Sequence, residues 1–200
     1  MPRNSRERIE AFFDACGEDG EFARPPIDCP YSIVFPGADD STGRVIYSTK
    51  PATVLAAMPE TGLPGDCAVV ARYGLPSERD GEFLASFTNG GHVSFLGDLD
   101  PPDLLIFAWL QEVLAPAPIE HLGVSDAIWR ELGSPLPERF ALPLTESERS
   151  AVALLEEVLP QLANIAGQSS AALLRFGRKI ELESALAVDR ESLTRLICGG

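Results

Sequence analysis

Long apolar runs are missing from this sequence. No stretch reaches the ~18 residues that a bilayer-crossing helix needs, so no membrane span is expected. Cysteine is sparse and scattered: Cys16, Cys29, Cys67 and Cys198 form no Cys-x-x-Cys pair. That pattern suits reduced thiols in a cytosol better than a disulfide frame or a zinc site. Histidine is limited to His92 and His121, too few for a histidine-rich metal centre. The charged start, Met1–Arg8, leads into no apolar h-region, so a secretory signal is not expected and a cytoplasmic location is. Gly-x-x-x-x-Gly-Lys-Ser/Thr and Gly-x-Gly-x-x-Gly are both lacking, which removes the P-loop and the dinucleotide fingerprint. Internal repeats and low-complexity tracts are lacking too.

Positive charge is also scarce. Thirty acidic residues face sixteen basic ones, for a net charge of −14. Such a chain repels a polyanion at long range, and non-specific nucleic-acid binding depends on phosphate neutralisation by Lys and Arg. Lys50 and Lys179 are the only lysines. Contact with DNA would therefore need a local patch, Mg²⁺ bridging or a partner subunit. What remains is ordinary for a globular protein: 45% of the residues are hydrophobic, and 200 residues fit one domain, alone or with a small appendage.

The pattern along the chain predicts alternating strands and helices. Residues 5–16 read as a short amphipathic helix stopped at Gly17, followed by a Pro-rich connector at 24–30. Two β-type runs, Tyr31–Phe35 and Arg44–Ser48, flank a loop at 36–43. Pro51–Met58 reads as a helix with proline in its first turn, and Cys67–Tyr73 as a strand buried in a parallel sheet. Glu78–Thr88 reads as a helix, His92–Leu96 as a strand, and Pro102–Leu114 as a helix apolar nearly all round. This β-α order predicts an α/β fold with a small, mostly parallel sheet flanked by helices. The remainder reads as helical. Thr145 and Glu148 form a capping box, and short helices are expected at Ser170–Phe176, Lys179–Leu186 and Asp189–Ile197. The expected division is an N-terminal helix and connector (1–30), an α/β core (31–118) and a helical C-terminal extension packing on it (119–200).

One segment carries chemistry, Phe95-Leu-Gly-Asp-Leu-Asp-Pro-Pro102. Strand side chains alternate, so Asp98 and Asp100 should project together with Leu99 turned into packing. Ligands of open α/β sheets bind at the carboxyl ends of the strands. Two carboxylates there suit Mg²⁺, which is held by one or two carboxylates, waters and substrate phosphates. Asp103, beside a helix start, either joins the cluster or balances the helix dipole. The plainer alternative is a solvated turn and helix cap with no ligand.

Gly97-Asp-Leu-Asp-Pro-Pro-Asp-Leu-Leu-Ile-Phe107 resembles the Asp-x-Asp motif of Toprim domains, in particular those of the topoisomerase VI A subunit, its meiotic double-strand-break counterparts, and the nuclease subunit of Wadjet-type plasmid-defence complexes. Arg44–Leu55 resembles the family's first strand and helix, Arg72–Ser77 the turn after its second strand, and Gly177–Glu183 a C-terminal helix. The likeness centres on residues 31–115. It implies a Toprim-type fold, metal binding at Asp98 and Asp100, and phosphodiester chemistry on DNA. Two departures bear on that. The family's first strand ends in a glutamate, and Ser48 stands in its place here; a hydroxyl neither titrates near neutral pH nor binds Mg²⁺ as a carboxylate does. Asp39, Asp40 and Glu60 are candidates to replace it. The topoisomerase relatives also carry a nucleophilic tyrosine on a separate winged-helix domain, for which the residues before the first strand leave too little chain. Tyr31, Tyr47 and Tyr73 read as packing residues.

The expectation is thus a divergent Toprim protein of bacterial DNA metabolism or anti-phage defence, catalytically impaired, acting as an accessory subunit with a protein partner, and retaining Mg²⁺ at Asp98 and Asp100. The rivals are an active Mg²⁺-dependent endonuclease and a small α/β protein whose acidic strand end is structural. Arg175-Phe-Gly-Arg-Lys179, the densest basic spot, is either a phosphate contact or a helix end with cations in its last turn. His92 and His121 have no partner at a telling spacing, and Trp109 and Trp129 read as core.

Overall fold

The computed structural model describes residues 4–17, 22, 33–35, 44–58, 67–88, 91–134 and 138–198. In chain order these hold α1 (Ser5–Cys16), β1 (Ile33–Phe35), β2 (Arg44–Ser48), α2 (Pro51–Ala57), β3 (Cys67–Ala71), α3 (Glu78–Thr88), β4 (His92–Leu96), α4 (Pro101–Val113) and β5 (Ile119–His121). Then come α5 (Asp126–Glu131), β6 (Leu142–Pro143), α6 (Glu146–Val158), α7 (Leu162–Ile165), α8 (Gln168–Arg175), β7 (Arg178–Lys179), α9 (Leu182–Val188) and α10 (Arg190–Cys198). The predicted connector at 24–30 and loop at 36–43 lie outside the described residues, as do Tyr31, Asp39, Asp40 and Glu60.

The main sheet runs β1-β3-β2-β4-β5, with β2 to β5 parallel and β1 antiparallel at the edge. The fold is therefore α/β, with a four-strand parallel sheet flanked by helices. Strand composition follows position. Cys67-Ala-Val-Val-Ala71 is buried along its whole length, as a strand covered on both faces must be. From β2 the chain crosses outward to β3, then returns past β2 to β4. The order of connection thus reverses between β2 and β4, whose ends are in register at Ser48 and Leu96. Right-handed crossovers place α2 on one face and α3 and α4 on the other. Accordingly α2 packs with α9 and α10, and α4 with α1, α3 and α6.

Helix α4 is the centre of the core. Asp100 caps it, accepting from Asp103 N at 2.8 Å, and the two prolines fill first-turn positions whose amides would have no partner. Every residue from Pro101 to Leu110 is buried, as its all-round apolar sequence requires. Phe107 packs on Phe95, and Phe95 stacks on Tyr47, with ring centroids 5.7 and 6.3 Å apart. Trp109 and Trp129 are core residues; the indole of Trp109 donates to Glu10 Oε1 at 2.8 Å.

The C-terminal part differs from the expected run of helices. Lys179–Leu186 is not one helix. Arg178–Lys179 is extended and pairs antiparallel with β6, Ile180 bridges Leu99, and α9 starts only at Leu182. Long-range pairing with Leu99 outweighs local helix propensity here: Leu99 N donates to Ile180 O at 2.9 Å and Ile180 N to Leu99 O at 3.2 Å. That bridge brings the 178–182 segment onto the acidic strand end.

Candidate functional site

Past Leu96 the chain leaves β4 at Gly97, where a Cβ would lie 2.6 Å from Asp103 Oδ2 and 2.7 Å from the Phe95 ring. Glycine is needed there because Asp103 folds back against the strand end. Asp103 Oδ2 accepts from Asp98 N at 2.6 Å and from Thr49 Oγ1 at 2.8 Å, tying the ends of β4 and β2 together. Leu99 is fully buried, and Asp98 and Asp100 lie on the same side of the chain, as alternation predicts. Both aspartates are 0% exposed, so this is a packed corner and not a solvated turn.

Each aspartate has a structural task. Asp100 caps α4, and Asp103 joins β2 to β4. Asp98 Oδ1 accepts from Leu182 N at 2.6 Å. It thereby caps α9 from across the fold, in place of Glu181, which makes no side-chain cap of its own.

Glu181 is the residue that sequence reasoning missed. One carboxylate oxygen each from Asp98, Asp100 and Glu181 lies within 4.8 Å of the other two. This set of three oxygen donors could hold a metal ion, and oxygen donors at this spacing suit a hard divalent cation. The corner also holds both of the chain's lysines. Lys50 Nζ forms an ion pair with Asp98 Oδ2 and lies 3.4 Å from Glu181 Oε2. Lys179 Nζ lies 2.8 Å from Glu181 Oε1 and 2.7 Å from Glu148 Oε1. The other oxygen of Glu148 accepts from Thr145 N at 2.6 Å, so the predicted capping box anchors the second lysine as well.

Burial dominates the protonation of the corner. It raises the Asp98 carboxyl well above its usual range, aided by the hydrogen bond to Glu181 and by the Asp103 charge, and the Lys50 ammonium only partly opposes it. Burial works against ionisation of Glu181 too. There, hydrogen bonds from Asp98 and Lys179 and the charges of Lys50 and Lys179 prevail, and its pKa falls to about 2.

Ser48 stands at the carboxyl end of β2 and brings no carboxylate to the cluster. Its hydroxyl accepts from Lys50 N at 3.1 Å, closing the turn from which the Lys50 side chain enters the corner. Of the tyrosines, Tyr47 is buried against Phe95, whereas Tyr73 is 56% exposed and not a packing residue. His92 pairs with Glu120 at 3.2 Å on the surface. His121 lies against Phe95 and Phe107, and its burial lowers its pKa to about 4. The basic run at 175–179 is divided: Arg175 pairs with Glu156 at 3.0 Å, Arg178 donates to Ala141 O, and Lys179 turns inward. No helix among the described residues is long and apolar enough to cross a membrane.

Acidic groups therefore meet at the point where ligands of open α/β sheets bind, the carboxyl ends of the two strands between which the order reverses. No protein-family model matches the sequence, and no curated protein is similar to it.

Proposed function

We propose that this chain is a divergent Toprim-like protein of bacterial DNA metabolism or defence that does not cleave DNA itself and acts as an accessory subunit. The observation that carries the reading is the Lys50 ammonium on Asp98, in a corner where Asp98 and Asp100 are 0% exposed. A nuclease metal keeps open positions for water and phosphate. Here a tethered cation takes the place beside Asp98, and one oxygen each of Asp98 and Asp100 is used to cap a helix. Ser48 at the position of the family glutamate, and the charge of −14, support the same reading. A divalent ion entering the corner has to displace Lys50 from Asp98, so the affinity for Mg²⁺ is low.

The rival reading, an active Mg²⁺-dependent endonuclease, is favoured by Glu181. It supplies a third carboxylate where Ser48 does not. Asp98, Asp100 and Glu181 would hold the ion, which would polarise a phosphoryl oxygen and acidify a bound water. A plasmid-nicking assay with the purified chain in Mg²⁺ or Mn²⁺ separates the two. The accessory reading expects supercoiled plasmid to persist. Nicking that disappears in both Asp98→Asn and Glu181→Gln would establish the nuclease instead.

A further inference from the structure

The Lys50–Asp98 pair has the elements of a bond-forming site as well as those of an ion pair. Amine and carboxyl touch where water is nearly excluded: the Asp98 side chain is 0% exposed and that of Lys50 11%. Both ends are held. Lys50 N donates to Ser48 Oγ at the start of α2, and Asp98 Oδ1 accepts from Leu182 N at 2.6 Å. A fixed nucleophile beside a fixed acceptor reacts as one molecule, without the entropy cost of an encounter. Burial also changes the balance between the ion pair and its condensation product. Two ions held out of water are costly, and an amide in their place carries neither charge.

The surrounding groups suit the individual steps. When an amine adds to the Asp98 carboxyl carbon, negative charge develops on Oδ1, to which Leu182 N already donates. Oδ2, which faces Lys50, is then the oxygen that leaves. Glu181 stands against both partners: its Oε2 lies 3.4 Å from Lys50 Nζ, and its carboxylate is hydrogen-bonded with Asp98. A carboxylate so placed can take a proton from the nitrogen and hand it to the departing oxygen. The Glu181 side chain is 23% exposed, which gives a released water a way out.

We propose that Lys50 and Asp98 condense to an intramolecular amide, with Glu181 carrying the proton between them. The ammonium first passes one proton to the Asp98 carboxylate. The nitrogen lone pair then forms a C–N bond to Cγ. The Cγ–Oδ2 bond breaks with its electron pair on oxygen, and Glu181 moves a second proton from nitrogen to that oxygen. One ammonium and one carboxylate become one amide and one water, with no oxidant, reductant or cofactor. The inference rests on the closed-corner reading and makes the closure permanent: an ion can displace an ammonium from Asp98, but not an amide nitrogen.

The test is intact-mass spectrometry of the full chain after it has been held folded at neutral pH, followed by peptide mapping. The expected wild-type mass lies one water below the sequence mass, with the peptides holding Lys50 and Asp98 joined. Lys50→Arg keeps the positive charge and should show the full mass, and Glu181→Gln should form the bond about tenfold or more slowly. Wild type at full mass overturns the proposal whatever the variants do. A missing water that maps to a cyclised aspartate, or to Lys179 with Glu148, overturns it as well, as does Glu181→Gln condensing at the wild-type rate. Wild type at full mass still leaves the ion pair on Asp98, so the non-cleaving reading stands or falls separately by the nicking assay.

Discussion

Arg178 and Lys179 are neighbours in one two-residue strand, and the regions on either side of that strand use charge in opposite ways. On the inner side, carboxylates are buried and opposed by lysine ammoniums. On the outer side, exposed arginines are held at the surface by single contacts, Arg175 with Glu156, Arg178 with Ala141 O and Arg139 over the Phe140 ring. Both lysines lie inside, while Arg139, Arg175 and Arg178 lie outside. The difference follows from the side chains. An ammonium is a compact point charge that fits among convergent carboxylates, whereas a guanidinium is a planar fork suited to an incoming partner. Charge inside this protein has become part of the framework; charge outside stays at the surface, each arginine held by a single contact.

Removing one charge from each side should break the comparison most strongly. Lys50→Ala leaves a buried acidic cluster short of a cation and is expected to cost about 3 kcal/mol in urea unfolding. Arg178→Ala, at an exposed position, should stay within about 0.5 kcal/mol of wild type. Equal losses at the two sites would dissolve the distinction between framework and surface charge.

A smaller effect sharpens it. His121 is an ionisable group inside the core without the pairing that the corner provides: both ring nitrogens are buried with no hydrogen-bond partner among the described residues. The folded state keeps this ring neutral down to a pKa of about 4, while the unfolded chain takes up a proton near 6.5. The unfolded state therefore binds more protons in that window, and stability falls as pH drops from 6.5 towards 4. Glu181 has the opposite displacement, from 4.5 to about 2, so its contribution is complete above 4.5 and is lost only as pH falls further, towards 2. Asp98, whose raised pKa gives the folded state the extra proton, opposes the His121 trend, so that stage is read as the difference between wild type and His121→Leu: the variant should lose less stability between pH 6.5 and 4. A curve unchanged by that substitution would mean that the buried ring does not govern the upper stage.

Much of this framework was legible in the residues. Alternation placed Asp98 and Asp100 together, and the proline pair with an apolar run marked α4. Glu148 was legible as half of a capping box, though not as the anchor of Lys179. Glu181 was hidden because its position depends on the bridge between Leu99 and Ile180, a pairing between residues far apart in the sequence that no local pattern reports. The scarcity of lysine was the available signal: two lysines in so acidic a chain, one of them two residues beyond Ser48, invited the question of what each neutralises. The reason for Gly97 was also out of reach. Its small size makes room for Asp103, and Asp103 reaches it only once α4 has folded back on the strand end.

The most direct test of the account is a Mg²⁺ and Mn²⁺ titration of melting temperature on wild type, Asp98→Asn, Lys50→Ala and the double variant Lys50→Ala/Asp98→Asn. A lysine-closed corner predicts no response in wild type, a rise with metal in Lys50→Ala as the vacated position admits the ion, and loss of that rise in the double variant. A wild-type melting temperature that climbs with metal, and ceases to do so in Asp98→Asn, would contradict it and show that the corner holds a divalent ion with Lys50 in place.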